Sequence, residues 1–165
     1  MNLNDFDKQA RRAEQKVVLQ AKEAITAVAL DAYHSLQAPA GGGQAGGSPV
    51  ASGRLAGSTR LELNKIDSSY EPEDPNYDYP SAEVHKYSQA NLPVRTIANR
   101  PISRIAAKLR TFKLGDTIYI SNSVPYIRRV EIWRHSWQTP DGIFEVTIRA
   151  VVARFRNIKL RITRG

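Results

Sequence analysis

The chain has 165 residues, of which 41% are hydrophobic and 24% charged, which suits one domain with a modest core and argues against wholesale disorder. It has no cysteine, which excludes a disulfide framework, a thiolate metal site and a cysteine nucleophile. Its three histidines lie far apart in the sequence, so we do not expect a histidine-rich metal cluster. No apolar run of about eighteen residues occurs, and no charged segment followed by an apolar one opens the sequence. We therefore expect neither a membrane-spanning helix nor a secretory signal.

Charge is distributed unevenly along the chain. The net charge of +8 divides into −3 over residues 1–94 (9 basic, 12 acidic) and +11 over residues 95–165 (15 basic, 4 acidic). A basic half of this density is typical of proteins that meet nucleic acid, an acidic protein face or a membrane surface. A solvated basic face is the alternative. The acidic half also allows copies of the same chain to meet, acidic surface against basic.

Residues 5–36 predict a long amphipathic helix, and we assign residues 1–37 to it. Proline and glycine are absent, and Asn4 or Asp5 can cap the start. Apolar residues recur at three- and four-residue spacing. The stripe consists of Phe6, Ala10, Ala13, Val17, Ala21, Ala24, Val28, Ala32 and Leu36. Its small side chains suit close packing against a sheet or another helix.

Residues 38–59 combine a glycine-rich linker with a Pro-Val-x-x-Gly-Arg-Leu block. Gly41, Gly43 and Gly46 formally satisfy the dinucleotide-binding pattern. A cofactor loop needs a strand before it and a helix directly after it, whereas here a helix precedes and Ser-Pro follows. We therefore predict a flexible linker and no cofactor.

Residues 60–156 are predicted to form an α+β body. Residues 60–66 alternate as a strand, and an acidic excursion rich in tyrosine and proline follows over 67–93. Its carboxylates include Glu71, Glu73, Asp74 and Asp78. They lack the spacing of a calcium-binding loop, so we expect no metal site but an exposed segment that contacts a neighbouring chain.

Short elements are predicted after the excursion. Helical spacing indicates a helix from about residue 102 to 110, followed by a turn over 113–116 and a strand over 117–121. Ser123 is then placed to cap a short helix over 125–133, since proline suits a first helical turn.

The C-terminal part of the body carries signals for both a strand and a helix. The β-branched residues of 143–156 favour a strand, but one apolar stripe and a cap at Thr139 or Asp141 favour a helix, which we predict. The stripe consists of Phe144, Ile148, Val151, Val152 and Phe155. Residues 157–165 alternate as a basic terminal strand or arm. The predicted fold is thus a long N-terminal helix packed on a small, mainly antiparallel sheet, with further short helices and extended arms.

Catalytic patterns are missing from the sequence. Ser52 lacks the nucleophile-elbow pattern G-x-S-x-G, and no carboxylate pair lies in an apolar setting that would separate an acid from a base. We therefore do not expect an enzyme.

Two sequence blocks carry a resemblance to a known family. The first, residues 48–59, reads SPVASGRLAGST; the second, residues 122–131, reads NSVPYIRRVE, and a Pro-Asp-Gly turn follows at 140–142. Together they resemble the tail-completion and head–tail joining proteins of long-tailed bacteriophages, closest to the minor tail protein Z type. The matching positions are Pro49, Gly53, Arg54, Leu55, Asn122, Pro125, Tyr126, Glu131, Pro140 and Gly142. Ser52, Ile127 and Ile132-Trp133 depart from the usual Thr, Ala and Tyr-Gly of the family.

This resemblance implies a virion structural protein of the neck or tail top. Such a protein would form a ring of its own copies, expected to be six-fold, around the DNA channel. Its partners would be head connector or head-closure proteins and tail tube or tail terminator proteins, with genomic DNA in the channel. Assembly would take place in the host cytoplasm, with no cofactor and no membrane. The alternative is a non-sequence-specific nucleic-acid-binding protein that uses its basic C-terminal half on phosphate.

Residues of the two blocks have specific expected roles. Gly53 permits a positive φ where the chain turns. Arg54 offers a planar fork to a carboxylate, and Glu131 is the expected partner because the family brings the two blocks together. A solvated turn residue is the alternative for Arg54. The Tyr126 ring is expected to be buried, and Trp133 and Trp137, which flank a loop, either cover the core or anchor a partner.

The basic half supplies candidates for contact with DNA or with an adjacent subunit. They are Arg149, Arg154, Arg156, Lys159, Arg161 and Arg164. If they line a channel, they would attract the polyanion without reading sequence. If they pair with a neighbouring copy, the acidic residues of the excursion are the counter-surface.

Overall fold

The fold is α+β, as the sequence predicts. A computed structural model of the chain describes residues 3–38, 54–72, 102–133 and 139–156. Within these residues lie a long N-terminal helix, a two-stranded antiparallel sheet and four shorter helices. Most of the predicted linker, most of the acidic excursion and the predicted strand at 157–165 lie outside the described residues.

Helix α1 runs from Leu3 to Gln37, about 52 Å at 1.5 Å per residue, and confirms the predicted long helix. Its packing face is confined to the C-terminal part, where Ala29, Tyr33 and Leu36 are buried. Residues 3–16 are all exposed. The predicted stripe therefore packs against the described body only in the C-terminal part of the helix.

The sheet is small and antiparallel. Strand β1 (Arg60–Leu63) pairs with strand β2 (Ile118–Ser121) in a register that places Leu61 opposite Ile120. One helical turn, α2 (Arg54–Gly57), precedes β1, where the sequence analysis predicts no helix.

Strand β1 ends at Leu63, before the predicted end at residue 66, because side-chain hydrogen bonds hold Asn64 in a turn. Asn64 adopts a left-handed conformation with φ 61°, which asparagine tolerates better than most residues. Its side chain donates to Asp116 Oδ1 at 2.8 Å and accepts from the Thr117 N–H at 2.8 Å. The Lys113 N–H donates to Asp116 Oδ2 at 2.7 Å. The bonds from Asn64 and from the Lys113 N–H stabilise the charged form of Asp116 and so hold its pKa below the ordinary value. The bond from Asn64 has the larger effect.

Helix α1 packs on the sheet through one apolar cluster, together with helix α3 (Ile102–Arg110). The buried members are Ala29, Tyr33, Leu61, Ile105 and Leu109, with Leu30, Ile118 and Ile120 packed against them. The Tyr33 hydroxyl accepts from Gln37 Nε2 at 2.8 Å and donates to the Thr59 carbonyl at 3.4 Å. A buried phenol therefore has its polar end satisfied, and α1 is fixed to the start of β1.

Two helices follow the sheet: α4 (Ile127–Glu131) and α5 (Phe144–Phe155). Helix α5 confirms the predicted helix over 143–156. Helix α4 is shorter than predicted, and Ser123 does not cap it. The helix begins later than predicted because a turn precedes it, in which the Ile127 N–H donates to the Val124 carbonyl at 3.0 Å.

Candidate functional site

The two sequence blocks meet in the interior of the protein. Leu55 of the first block shares a buried cluster with Val124 and Val130 of the second. Leu36 of α1 and Ile143 before α5 complete it. We call these five residues the motif junction. All five are at most 9% exposed, so burial of apolar surface holds the two blocks, α1 and α5 together.

Asn122 ties the two blocks by polar contacts at the edge of the motif junction. Its Nδ2 donates to the Leu55 carbonyl at 2.6 Å and to the Thr59 hydroxyl at 3.2 Å. Its Oδ1 accepts the Val124 N–H at 3.3 Å. Both ends of the amide are used, one on each block, which explains why an asparagine suits this position.

Arg54 does not pair with Glu131, so that expectation is wrong. The Arg54 guanidinium lies over the rings of Tyr70 and Tyr126, at 5.5 and 5.7 Å from their centroids. Its Nε donates to the Glu71 carbonyl at 2.8 Å. Arg54 is therefore half-buried in a cation–π arrangement, rather than a solvated turn residue.

Glu131 instead caps helix α5 from a distance in sequence. Its Oε2 accepts the N–H groups of Ile143 and Phe144 at 2.8 and 3.1 Å, and its Oε1 accepts that of Glu145 at 3.2 Å. A carboxylate here satisfies three amides that the helix itself leaves unpaired, and its negative charge suits the positive end of the helix dipole. The predicted caps at Thr139 and Asp141 are wrong, because Glu131 occupies the position that they would fill.

Gly142 makes room for the Glu131 carboxylate. Gly142 has φ 82°, and a Cβ built on it would lie 3.1 Å from the carboxyl carbon and one oxygen of Glu131. The Gly142 N–H closes a turn onto the Thr139 carbonyl at 3.0 Å, with Pro140 inside the turn. The family-like Pro-x-Gly turn thus brings the start of α5 onto Glu131.

Arg60 is a buried charged residue that the sequence reasoning did not single out. It is 3% exposed, and its Nη1 donates to the Gly57 carbonyl at 2.7 Å. Its Nη2 donates to Glu71 Oε1 at 3.2 Å and its Nε donates to Ser69 Oγ at 3.0 Å. Glu71, predicted as part of an inter-subunit acidic surface, is thus engaged within its own chain. The alternating pattern of residues 60–66 gives no signal that this arginine is inside.

The remaining family-motif and aromatic positions are more peripheral or lie outside the described residues. Pro125 is exposed, and Tyr126 is partly buried against the motif junction. Trp133 is 58% exposed and therefore does not cover the core of this chain. Pro49, Gly53 and Trp137 lie outside the described residues.

The basic candidates that the structure describes divide by their contacts. Arg149 forms an exposed ion pair with Glu145, one helical turn away. Arg154 reaches α1, where its Nη1 lies 3.1 Å from Asp31 Oδ1 and its Nη2 donates to Ser35 Oγ at 3.2 Å. Arg156 is exposed at the end of α5. Outside the described residues lie Lys159, Arg161 and Arg164, and with them Glu73, Asp74 and Asp78 of the acidic surface.

Replacing Arg154 with alanine is expected to lower the free energy of unfolding by about 1 kcal/mol. The change removes the link from α5 to α1, and it leaves Asp31 near the buried Ser35 without its cation. Urea unfolding measures the loss. The control is Arg149→Ala, whose ion pair is solvent-screened and expected to contribute less than about 0.5 kcal/mol. Equal losses in the two variants would contradict a structural role for Arg154.

The described residues match neither of two further kinds of site, a metal centre and a membrane-spanning helix. They contain no group of three or more His, Asp or Glu side chains that could hold a metal ion. None of the described helices combines the length and the apolar character required to cross a bilayer.

Among the exposed apolar side chains, two groups bear on the predicted stripes of α1 and α5. Leu3 and Phe6 stand on the uncovered half of α1, at 82% and 56% exposure. Near and on α5, the exposed side chains are Ile132, Trp133, Ile148 and Val152. The predicted stripe of α5 is thus buried only in part, through Val151, because Ile148 and Val152 face outward.

No family model matches this chain, and no curated protein and no solved structure matches it either.

Proposed function

We propose that the protein is a structural component of a bacteriophage virion, placed at the neck or tail top, where copies of the chain form a ring that joins tail to head. The proposal begins from the resemblance of the two sequence blocks to tail-completion and head–tail joining proteins. Its ring would surround the DNA channel and contact the head connector or closure proteins on one side and the tail tube or terminator on the other.

The observation that carries the proposal is the motif junction. The resemblance rests on two blocks that are far apart in sequence, and Leu55 of one packs on Val124 and Val130 of the other. Asn122 also hydrogen-bonds across them. Residues that match a family pattern because they build its core would be expected to meet in this way. The proposal therefore assigns the blocks to the scaffold rather than to a catalytic centre.

The uncovered half of α1 supports an assembly role. Residues 3–16, about four turns of α1, are exposed and so gain little stability from packing on the described body, whereas an isolated helix of this length is only marginally stable in water. Leu3 and Phe6 would be buried if α1 packed against another subunit. A structural role in an oligomer accounts for both features.

A genetic experiment tests the proposal. Deleting the coding sequence from the phage that carries it is expected to yield DNA-filled heads and separate tails, counted by electron microscopy. Supplying the intact chain in trans should restore joined particles. Joined, infectious particles at the normal yield in the deletion strain would contradict the proposal.

Direct binding of nucleic acid is the second candidate function, and one observation favours it. Among the described residues, four exposed arginines of α3 and α4 take part in no ion pair: Arg104, Arg110, Arg128 and Arg129. Unpaired arginines attract phosphate without reading base sequence. A monomer that binds duplex DNA with a steep decrease in affinity as salt rises would favour this candidate over the neck protein.

A further inference from the structure

An open groove lies between α1 and α3. Its volume is about 440 Å³, and its apolar walls include Leu19, Ala27, Leu30, Ala106 and Leu109. Its charged lining residues are Lys22, which donates to the Arg110 carbonyl at 3.2 Å, Arg110 itself and the acidic Glu23, so the basic charges outnumber the acidic one. The Arg110 guanidinium belongs to no ion pair within the described part of the chain.

The N-terminal half of α1 presents a surface of matching kind. Phe6, Ala10, Ala13 and Val17 follow one another at alternating four- and three-residue spacing and so share one face of the helix. The small alanines allow a close approach of helix to groove. Two carboxylates, Asp7 and Glu14, lie seven residues apart along one edge of this face. We call this face the α1 stripe.

We propose that the α1 stripe of one copy docks in the groove between α1 and α3 of a second copy, with Asp7 and Glu14 facing Lys22 and Arg110. The occupant is a second copy because α1 is one unbroken helix. Ala10 and Ala27 are about 26 Å apart along its axis, so the stripe cannot fold back into its own groove. Complementary charge sets the side on which the acidic edge lies.

This contact joins two different surfaces of the same chain. Each copy that gives its stripe to one neighbour still offers its groove to another, so the contact repeats head to tail and closes into a ring where the rotation permits. In this respect the inference deepens the proposed ring-forming function and supplies its subunit contact. Symmetric pairing of two stripes would instead stop at a dimer.

Engineered cysteines test the contact, because the chain has none of its own. Four double variants each combine one stripe position, Ala10→Cys or Ala13→Cys, with one groove position, Ala27→Cys or Ala106→Cys. Mild oxidation of the purified full-length chain at high concentration is expected to give, in at least one of them, a ladder of covalent dimers, trimers and larger species. A disulfide requires the two Cα atoms to lie within about 7 Å, so a ladder reports direct contact.

The four single-cysteine variants are the controls. They should form few covalent dimers and no ladder. If no double variant gives a ladder, or if the Ala10→Cys or Ala13→Cys single variant forms dimers as efficiently as the double variants form their ladder, the head-to-tail contact is wrong.

Charge exchange tests the orientation. Asp7→Lys with Glu14→Lys is expected to decrease the cross-linked fraction about tenfold, and adding Lys22→Glu with Arg110→Glu should restore it. Lys8→Glu, on the opposite face of α1, should leave it unchanged. If the four-residue exchange does not restore the cross-linked fraction, the charge pairing is wrong. If Lys8→Glu also abolishes the ladder, the charge effect is not confined to the edge of the α1 stripe that carries Asp7 and Glu14.

The outcomes separate this contact from the proposed function. A ladder formed by a chain whose deletion leaves phage particles intact would keep the contact and refute the neck function. Failure of all four pairs, in a chain whose deletion prevents head–tail joining, would refute the contact and keep the function.

Discussion

Replacing Glu131 with alanine is expected to lower the free energy of unfolding by about 2–3 kcal/mol. The carboxylate accepts three backbone N–H groups at the start of α5. Its removal takes this acceptor from the three amides and deletes a favourable charge at the positive end of the helix. Because Ile143 belongs to the motif junction, loosening of this helix start also disturbs the apolar cluster.

Chemical unfolding in urea, followed by circular dichroism, measures this loss. Glu131→Gln keeps one acceptor oxygen and should lose roughly half as much. The matched control is Glu145→Ala, which removes an acidic residue from the same helix end and breaks its exposed pair with Arg149, and should lose less than about 1 kcal/mol. A loss in Glu131→Ala no larger than that in the control would contradict the capping role.

Replacing Gly142 with alanine is expected to cost about 2 kcal/mol. Two effects contribute: the residue has φ 82°, and the new Cβ would lie 3.1 Å from the Glu131 carboxyl group. The protein offers a control for the first effect alone. Gly115 has φ 102°, but no atom lies within 4 Å of a Cβ built there, so Gly115→Ala should cost only the backbone term of about 1 kcal/mol.

A double-mutant cycle separates the two effects. In the Glu131→Ala background, Gly142→Ala should cost no more than Gly115→Ala does, because the carboxylate that crowds the new Cβ is gone. Thermal or urea unfolding of the four chains in the cycle gives the coupling energy. If the cost of Gly142→Ala is the same in both backgrounds, crowding of Glu131 plays no part in the choice of glycine.

Local patterns predicted most of the elements in this chain. Periodicity and composition locate α1, α3, β2 and α5 close to their observed bounds, because each depends on residues near one another in sequence. The single turn of α2 was missed, since four residues carry too little periodicity to indicate a helix. The early end of β1 was also missed, because it depends on Asn64 meeting Asp116 across the turn.

Partners across long sequence distances could not be predicted. Glu131 follows an apolar residue in a short helix, and nothing nearby indicates that its carboxylate serves α5 rather than Arg54. Arg60 occupies a strand position that usually faces solvent, and its burial depends on Glu71 and Ser69 folding back over it. The stripe of α1 was predicted along the whole helix, because periodicity identifies an apolar side but not which part of it the body covers.

The copy number of this chain in purified phage particles tests the proposed function most directly. Quantitative peptide mass spectrometry, normalised to one genome per particle, should give a small whole number of copies, expected to be six. Electron microscopy of labelled particles should place the chain at the junction of head and tail. Absence of the chain from purified, infectious particles would contradict the account.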